Sequence, residues 1–144
     1  EVRDDDSAMQ TYIQALLQRH AYGDARMVIQ EAMRNRWRPA LLPDYVRAAQ
    51  TDSITDQLKM CDAWQNLGYA DDALYTTAGQ LCIRAQMWGQ AKKNFDDAIR
   101  LNPSIVNYSG LAQALNGMGD TAGAQAAEHQ ASRLNQVNVL HHDN

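Results

Sequence analysis

A chain of 144 residues, 45% hydrophobic and 21% charged, has the length of a single domain and can bury about 68–70% of its unfolded surface, enough to hold a core without staples. Its net charge of −4 argues against non-specific nucleic-acid binding, and two cysteines make no disulfide framework. No apolar run approaches the ~18 residues of a transmembrane helix, while few prolines and abundant Ala, Gln and Leu favour helix nearly throughout.

Caps and breakers predict eight helices in chain order, near 7–20, 24–35, 43–50, 54–67, 72–85, 89–101, 105–117 and 121–136. The chain opens on Glu1, not Met, which points to a piece of a longer protein whose anchor or leader lies elsewhere. Asp4, Asp5 and Asp6 stand where carboxylates complement a helix dipole, and Asp71-Asp72 repeats that arrangement. The third helix is expected to be short, because Pro39 and Pro43 constrain its start, and Pro43 suits a first helical turn. Ser53, Asp71, Ser104 and Asp120 are expected N-caps, and Gly68 and Gly119 breaks after helix ends. The tail 138–144 lacks periodicity and is expected to fray.

A repeat underlies this pattern. Tyr22-Gly23-Asp24-Ala25 is echoed by Trp88-Gly89-Gln90-Ala91, and Ala25, Ala91 and Ala124 are spaced by 66 and then 33 residues. A period of 33–34 in a helical composition indicates helix–turn–helix units, the tetratricopeptide repeat being the 34-residue case. The third copy matches that pattern best, with Tyr75, Ala78, Gly79, Cys82, Ala91, Phe95, Ala98 and Pro103 in register. Gly79 and Ala91 are small where two helices cross, Tyr75, Cys82 and Phe95 fill the surrounding space, and Pro103 ends the second helix. The first copy offers Met9, Tyr12, Ile13, Leu16, Ala25, Ile29 and Ala32, and the last Tyr108, Leu111, Ala112, Leu115, Ala124 and Ala131. Between them a degenerate copy places Leu58 in the alanine slot. The expected fold is therefore all-α, an α-solenoid of about four tetratricopeptide-like repeats (6–38, 40–70, 72–104 and 105–137) in one domain spanning 1–144. Trp88 is expected to pack on the following helix pair near Leu111 and Leu115.

The stretch Leu81-Cys82-Ile83-Arg84-Ala85-Gln86-Met87-Trp88-Gly89-Gln90-Ala91 resembles the signature of the HemY family, proteobacterial tetratricopeptide membrane proteins linked to late haem biosynthesis. Arg36-Trp37, Gln57-Leu58-Lys59 with Trp64, and Tyr108, Leu111-Ala112, Leu115 and Gly119 are similar to further family elements, so the resemblance runs from about Ala8 to Leu134. It departs at Ala78 and Gln90, where the family has Leu and Lys, and at Gly68-Tyr69-Ala70-Asp71-Asp72 in place of a His-Pro run. The resemblance implies a bacterial inner-membrane protein anchored by N-terminal helices absent from this chain, with the present piece as its tetratricopeptide domain on the cytoplasmic side. It implies protein partners among haem-biosynthesis enzymes. A scaffold in lipopolysaccharide assembly and a haem or porphyrin carrier are the alternatives.

No motif of a hydrolase, P-loop enzyme or zinc protease stands in the sequence, so neither catalytic residues nor a cofactor or metal site are assigned. His20, His129, His141 and His142 are too scattered to make a ligand set by spacing. Cys61 and Cys82 fall on apolar helical lines and are expected to be buried thiols, and Asp96-Asp97 a solvated face. Two surfaces remain. Arg34, Arg36 and Arg38 around Trp37 form the candidate anion patch, suited by guanidinium geometry to phospholipid head groups or porphyrin carboxylates. The first helix of each pair would line a concave partner groove that is polar and almost uncharged, carrying Gln10, Gln14, Gln18, Thr76, Gln80, Arg84, Ser109, Gln113 and Asn116.

Overall fold

The computed structural model describes residues 6–143, with side chains described through 139. The described residues form eight α-helices and no strand. They fall into two compact units, 1–69 and 70–144. Unit 1 holds α1 (Asp6–Gln18), α2 (Tyr22–Asn35), a 3-10 turn at Pro39–Leu41, α3 (Leu42–Arg47) and α4 (Ile54–Asn66). Unit 2 holds α5 (Asp72–Arg84), α6 (Trp88–Leu101), α7 (Ile105–Gly117) and α8 (Thr121–Asp143). Consecutive helices pack as neighbours, α1 on α2 in the first unit and α5 on α6, α6 on α7 and α7 on α8 in the second.

Helix-ending turns recur in the backbone at the spacing of the alanines. After α1 the chain turns through His20 at φ 60°, and after α5 through Gln86 at φ 58°, again 66 residues on. Gly119, at φ 81°, makes the same turn 33 residues later, before α8. In each case the left-handed residue donates three residues back and its successor donates five back: Ala21 N to Leu16 O, Met87 N to Cys82 O and Asp120 N to Leu115 O, at 2.8, 2.9 and 2.9 Å. These are helix C-terminal motifs that satisfy the last carbonyls of a helix. The alanine of the repeat follows five residues after each left-handed residue. A longer contact keeps the same phase, since Arg36 meets Asp6 at 3.3 Å and Asn102 donates to Asp72 at 2.9 Å.

Unit 1 is regular only in its first hairpin. Ile13, Leu16, Ala25, Ile29 and Ala32 are buried there as the spacing requires, whereas Tyr12 is 56% exposed and fills no core slot. The second copy departs from the pattern. Its α3 has six residues, and Ser53 is not the N-cap its sequence suggests, having αR geometry and no side-chain capping bond. Ser53 Oγ instead donates to Gln50 O at 3.0 Å and contacts Gln57 Oε1 at 2.7 Å. Gln57, 2% exposed, also donates Nε2 to Tyr45 O at 2.9 Å. With its amide satisfied, Gln57 takes the buried line Ile54–Gln57–Cys61–Trp64, and Leu58 is only half-buried rather than the core residue expected. Aromatic rings complete this core: Tyr45 lies tilted 5.3 Å from Trp64, Trp64 meets Trp37 edge-on at 5.5 Å, and Trp37 stacks on Tyr69 at 4.7 Å.

Unit 2 is built around Phe95, which is fully buried on α6 together with Ala91 and Ala98. Its ring lies against two glycines on different helices. A Cβ on Gly79 of α5 would stand 2.8 Å from the ring, and one on Gly110 of α7 only 2.2 Å. Neither helix could approach so closely with a side chain there. Asp71 and Ser104 cap α5 and α7, accepting from Leu74 N at 2.9 Å and Asn107 N at 3.1 Å. Asp120 Oδ1 likewise accepts from Gly123 N at 2.9 Å at the start of α8. Ala112, Leu115, Ala124 and Ala127 form the α7–α8 core with Leu111 beside it. Helix α8 continues to Asp143, past the end expected near 136, as no Gly or Pro breaker follows Gly123. No described helix is long and apolar enough to cross a membrane.

Candidate functional site

The structure places the two candidate surfaces differently from each other. Of the arginine trio, Arg34 projects outward and pairs with Glu31 at 3.2 Å. Arg38 is 1% exposed, its Nε 3.8 Å from Asp6 Oδ1, while its backbone N–H points at Met33 Sδ. Arg36 Nη2 reaches the same Asp6 oxygen at 3.3 Å. The trio is therefore not one exposed anion patch. Two of its guanidinium groups are turned onto a carboxylate of the chain's own first helix, and the pairing ties the segment after α2 to the start of α1. No local pattern signals this, because the partners lie 30 or more residues apart.

The polar groove residues divide by unit. In unit 1, Gln10 and Gln14 line a cleft of about 480 Å³ between α1 and the segment running from the 3-10 turn into α3, together with Thr11, Ala40, Asp44 and Arg47. Gln10 Nε2 donates to Ala40 O at 3.2 Å, and Gln14 Nε2 to Asp44 Oδ1 at 2.9 Å. Arg47 Nη1 pairs with that same Oδ1 at 3.0 Å. Asp44 is 4% exposed yet faces the cleft. Gln18 is exposed at the end of α1 and does not line it. Asp44 and Arg47 are absent from the groove expected on sequence, since they stand on α3 and nothing local aims them at α1.

In unit 2, Thr76 is not a free groove residue. Its hydroxyl bonds to Asp72 O at 2.9 Å and to Asn107 Oδ1 at 2.5 Å, and Asn107 in turn donates to Asn102 O at 3.0 Å. It is a link between α5 and α7. Gln80 and Ser109 are half-buried, and Arg84, Gln113 and Asn116 are exposed on the same two helices. Trp88 is half-buried, and its indole covers Gly117 in the last turn of α7, where a Cβ would come within 2.1 Å of the ring. It therefore packs on the following helix as expected, but past Leu111 and Leu115.

Cys61 and Cys82 are both buried, as expected. His20 Nδ1 is bonded to Tyr22 Oη at 2.8 Å, His129 is exposed, and the side chains of His141 and His142 lie outside those described. Asp4 and Asp5 also lie outside the described residues. Asp96 and Asp97 form local ion pairs with Lys92 and Arg100, each at 2.8 Å. Among the described residues no group of three or more His, Cys, Asp or Glu side chains is placed to hold a metal ion. Burial, and then the neighbouring Cys61, push the Tyr45 phenol well above the usual tyrosine value. Its Oη donates to Gln30 at 2.9 Å, so it is a core hydroxyl and not a reactive one. Compared with protein-family models, with curated proteins and with solved structures, the chain matches none.

Proposed function

We propose that this chain is a non-catalytic protein-interaction scaffold, an α-solenoid of tetratricopeptide-like repeats carried by a HemY-type protein that supports late protohaem biosynthesis. Its parent would be anchored in the bacterial inner membrane, with this domain on the cytoplasmic side and haem-biosynthesis enzymes as partners. The observation that carries the reading is the cleft beside α1. Gln10 and Gln14, which the repeat assigns to the inner helix face, there meet Asp44 and Arg47 in a concave polar surface. Repeat proteins bind partners on such surfaces. The shared turn geometry at His20, Gln86 and Gly119 supports the repeat itself. The mechanism is recruitment: holding a partner near the membrane raises its effective concentration without new chemistry.

The test is affinity capture from membranes with the full-length parent, beside a variant carrying Gln80→Ala, Gln113→Ala and Asn116→Ala. Late haem-biosynthesis enzymes should be enriched with the parent and reduced with the variant. No enrichment of any such enzyme would overturn the haem assignment, and equal capture by the variant would remove the unit 2 face from the binding surface.

A further inference from the structure

The hydrogen-bonding polarity of the unit 1 cleft is fixed by what its side chains already do. A backbone carbonyl and a carboxylate can only accept, so Gln10 and Gln14 must turn their amide nitrogens inward, onto Ala40 O and Asp44 Oδ1. Their carbonyl oxygens are thereby left as the unspent groups. Thr11 gives its hydroxyl proton to Ser7 O at 3.0 Å and keeps its lone pairs. Both bonds to Asp44 fall on Oδ1, which leaves Oδ2 as an acceptor on a carboxylate only 5% exposed. The cleft thus offers unspent acceptor oxygens beside a buried carboxylate, with Arg47 as the one cationic side chain in its lining, in a chain whose net charge is −4.

We propose that this cleft receives a cationic side chain, the guanidinium or ammonium group of a partner segment, with Asp44 as counter-ion and the Gln10, Gln14 and Thr11 oxygens as acceptors. The identity of the partner rests on the scaffold reading, but the chemistry of the cleft does not. Its volume of about 480 Å³ is within the range of ligand clefts, about 300–1,000 Å³. A charge-assisted bond to a shielded carboxylate is stronger than a neutral one. Arg47 is the chain's own stand-in for the ligand. It is 62% exposed and held to Asp44 only as an i,i+3 pair, an arrangement that holds weakly, so an incoming cation at Oδ2 competes with it for the single negative charge of the carboxylate.

That competition gives a test whose sign separates the possibilities. The 15N-labelled chain is titrated with N-acetylarginine amide, with its neutral isostere N-acetylcitrulline amide, and with acetate, while the side-chain amide signals of Gln10 and Gln14 are followed. The arginine derivative should shift both signals saturably, and citrulline should shift neither. Arg47→Ala should tighten arginine binding by about 3- to 5-fold, the competition a surface ion pair can offer, and Asp44→Asn should abolish it. Arg47 is exposed, so its variant folds even if Asp44→Asn does not. Weaker binding in Arg47→Ala, or a response to acetate in preference to arginine, would overturn the proposal in favour of an anion site. An equal response to citrulline would also overturn it. Either failure leaves the capture experiment standing, because that result is read on the full-length parent and on unit 2 substitutions.

Discussion

Gly110→Ala isolates the closest approach in unit 2. A Cβ at this position would sit 2.2 Å from Phe95 Cε1 and 2.3 Å from Cζ, against an ordinary carbon–carbon contact of about 3.5–4.0 Å. The ring cannot retreat toward α5, because Gly79 already meets its other edge at a position where a Cβ would stand 2.8 Å away. Either α7 moves off by more than about 1 Å or Phe95 leaves its rotamer, and overpacking of this kind costs about 1–3 kcal/mol. Replacing glycine inside a helix returns about 0.8–1 kcal/mol of propensity. The net expectation is a loss of about 1–2 kcal/mol, in the upper part of that difference, since a ring held from both sides has no cheap relaxation. For a unit of this size that lowers Tm by roughly 4–16 °C. Thermal unfolding followed by far-UV circular dichroism measures it. Gly89→Ala is the control, because nothing lies within 4 Å of its Cβ position, and it should be neutral or stabilising by up to about 1 kcal/mol. Adding Phe95→Leu to Gly110→Ala should recover part of the loss, because the ring edge that meets the new methyl is gone. An unchanged Tm in Gly110→Ala, or strictly additive losses in the double variant, would refute the wedge.

Gln86→Gly should stabilise the protein by about 0.5–1 kcal/mol, since a non-glycine residue in the left-handed region costs about 1–2 kcal/mol and glycine gives back part of that gain as unfolded-state entropy; denaturant melts read the shift. Trp88→Ala should cost about 1–3 kcal/mol, below the 3–5 of a fully buried tryptophan, because the indole is half-exposed over Gly117. Combining it with Gly117→Ala should be less than additive in the same melts. Tyr45 has its phenol pKa raised by burial, so the folded state keeps its proton while the unfolded chain loses one above about pH 10. The stabilisation is complete below that value and falls as pH rises further, by up to about 1.4 kcal/mol per pH unit. Tyr45→Phe should flatten this alkaline decline in urea midpoints measured from pH 9 to 11.

What the sequence exposed was local. The small residues Ala25, Ala91 and Ala124 are written at fixed spacing, so three hairpins are legible from the period, whereas of the left-handed residues before them only Gly119 is marked, and His20 and Gln86 carry no turn signal. What stayed hidden depended on partners distant in sequence. Gln57 looks like a surface residue until Ser53 and the Tyr45 carbonyl satisfy its amide, and only then does it displace Leu58 from the core. Arg38 stands in a basic linker, and the groups its buried guanidinium meets, Asp6 and Met9, come from α1, about 30 residues away. Gly110 sits mid-helix, where glycine weakens a helix on propensity alone, and its purpose appears only with the Phe95 ring against it. For the candidate groove, the repeat put Gln10 and Gln14 on one face of α1, and that face lines the unit 1 cleft. The α3 residues that close the cleft came from the one repeat whose pattern had decayed.

The ring of Phe95 has a further consequence for unit 2. It is a spacer of fixed thickness between α5 and α7, with no side chain on either glycine to compress or extend it. Gln80 and Gln113 ride on those two helices, so their separation is governed by the ring together with the Thr76–Asn107 link. The surface therefore behaves as a ruler with a single graduation. A molecule that bonds both amides has to match that interval, and any widening of it must be felt at once in the buried core.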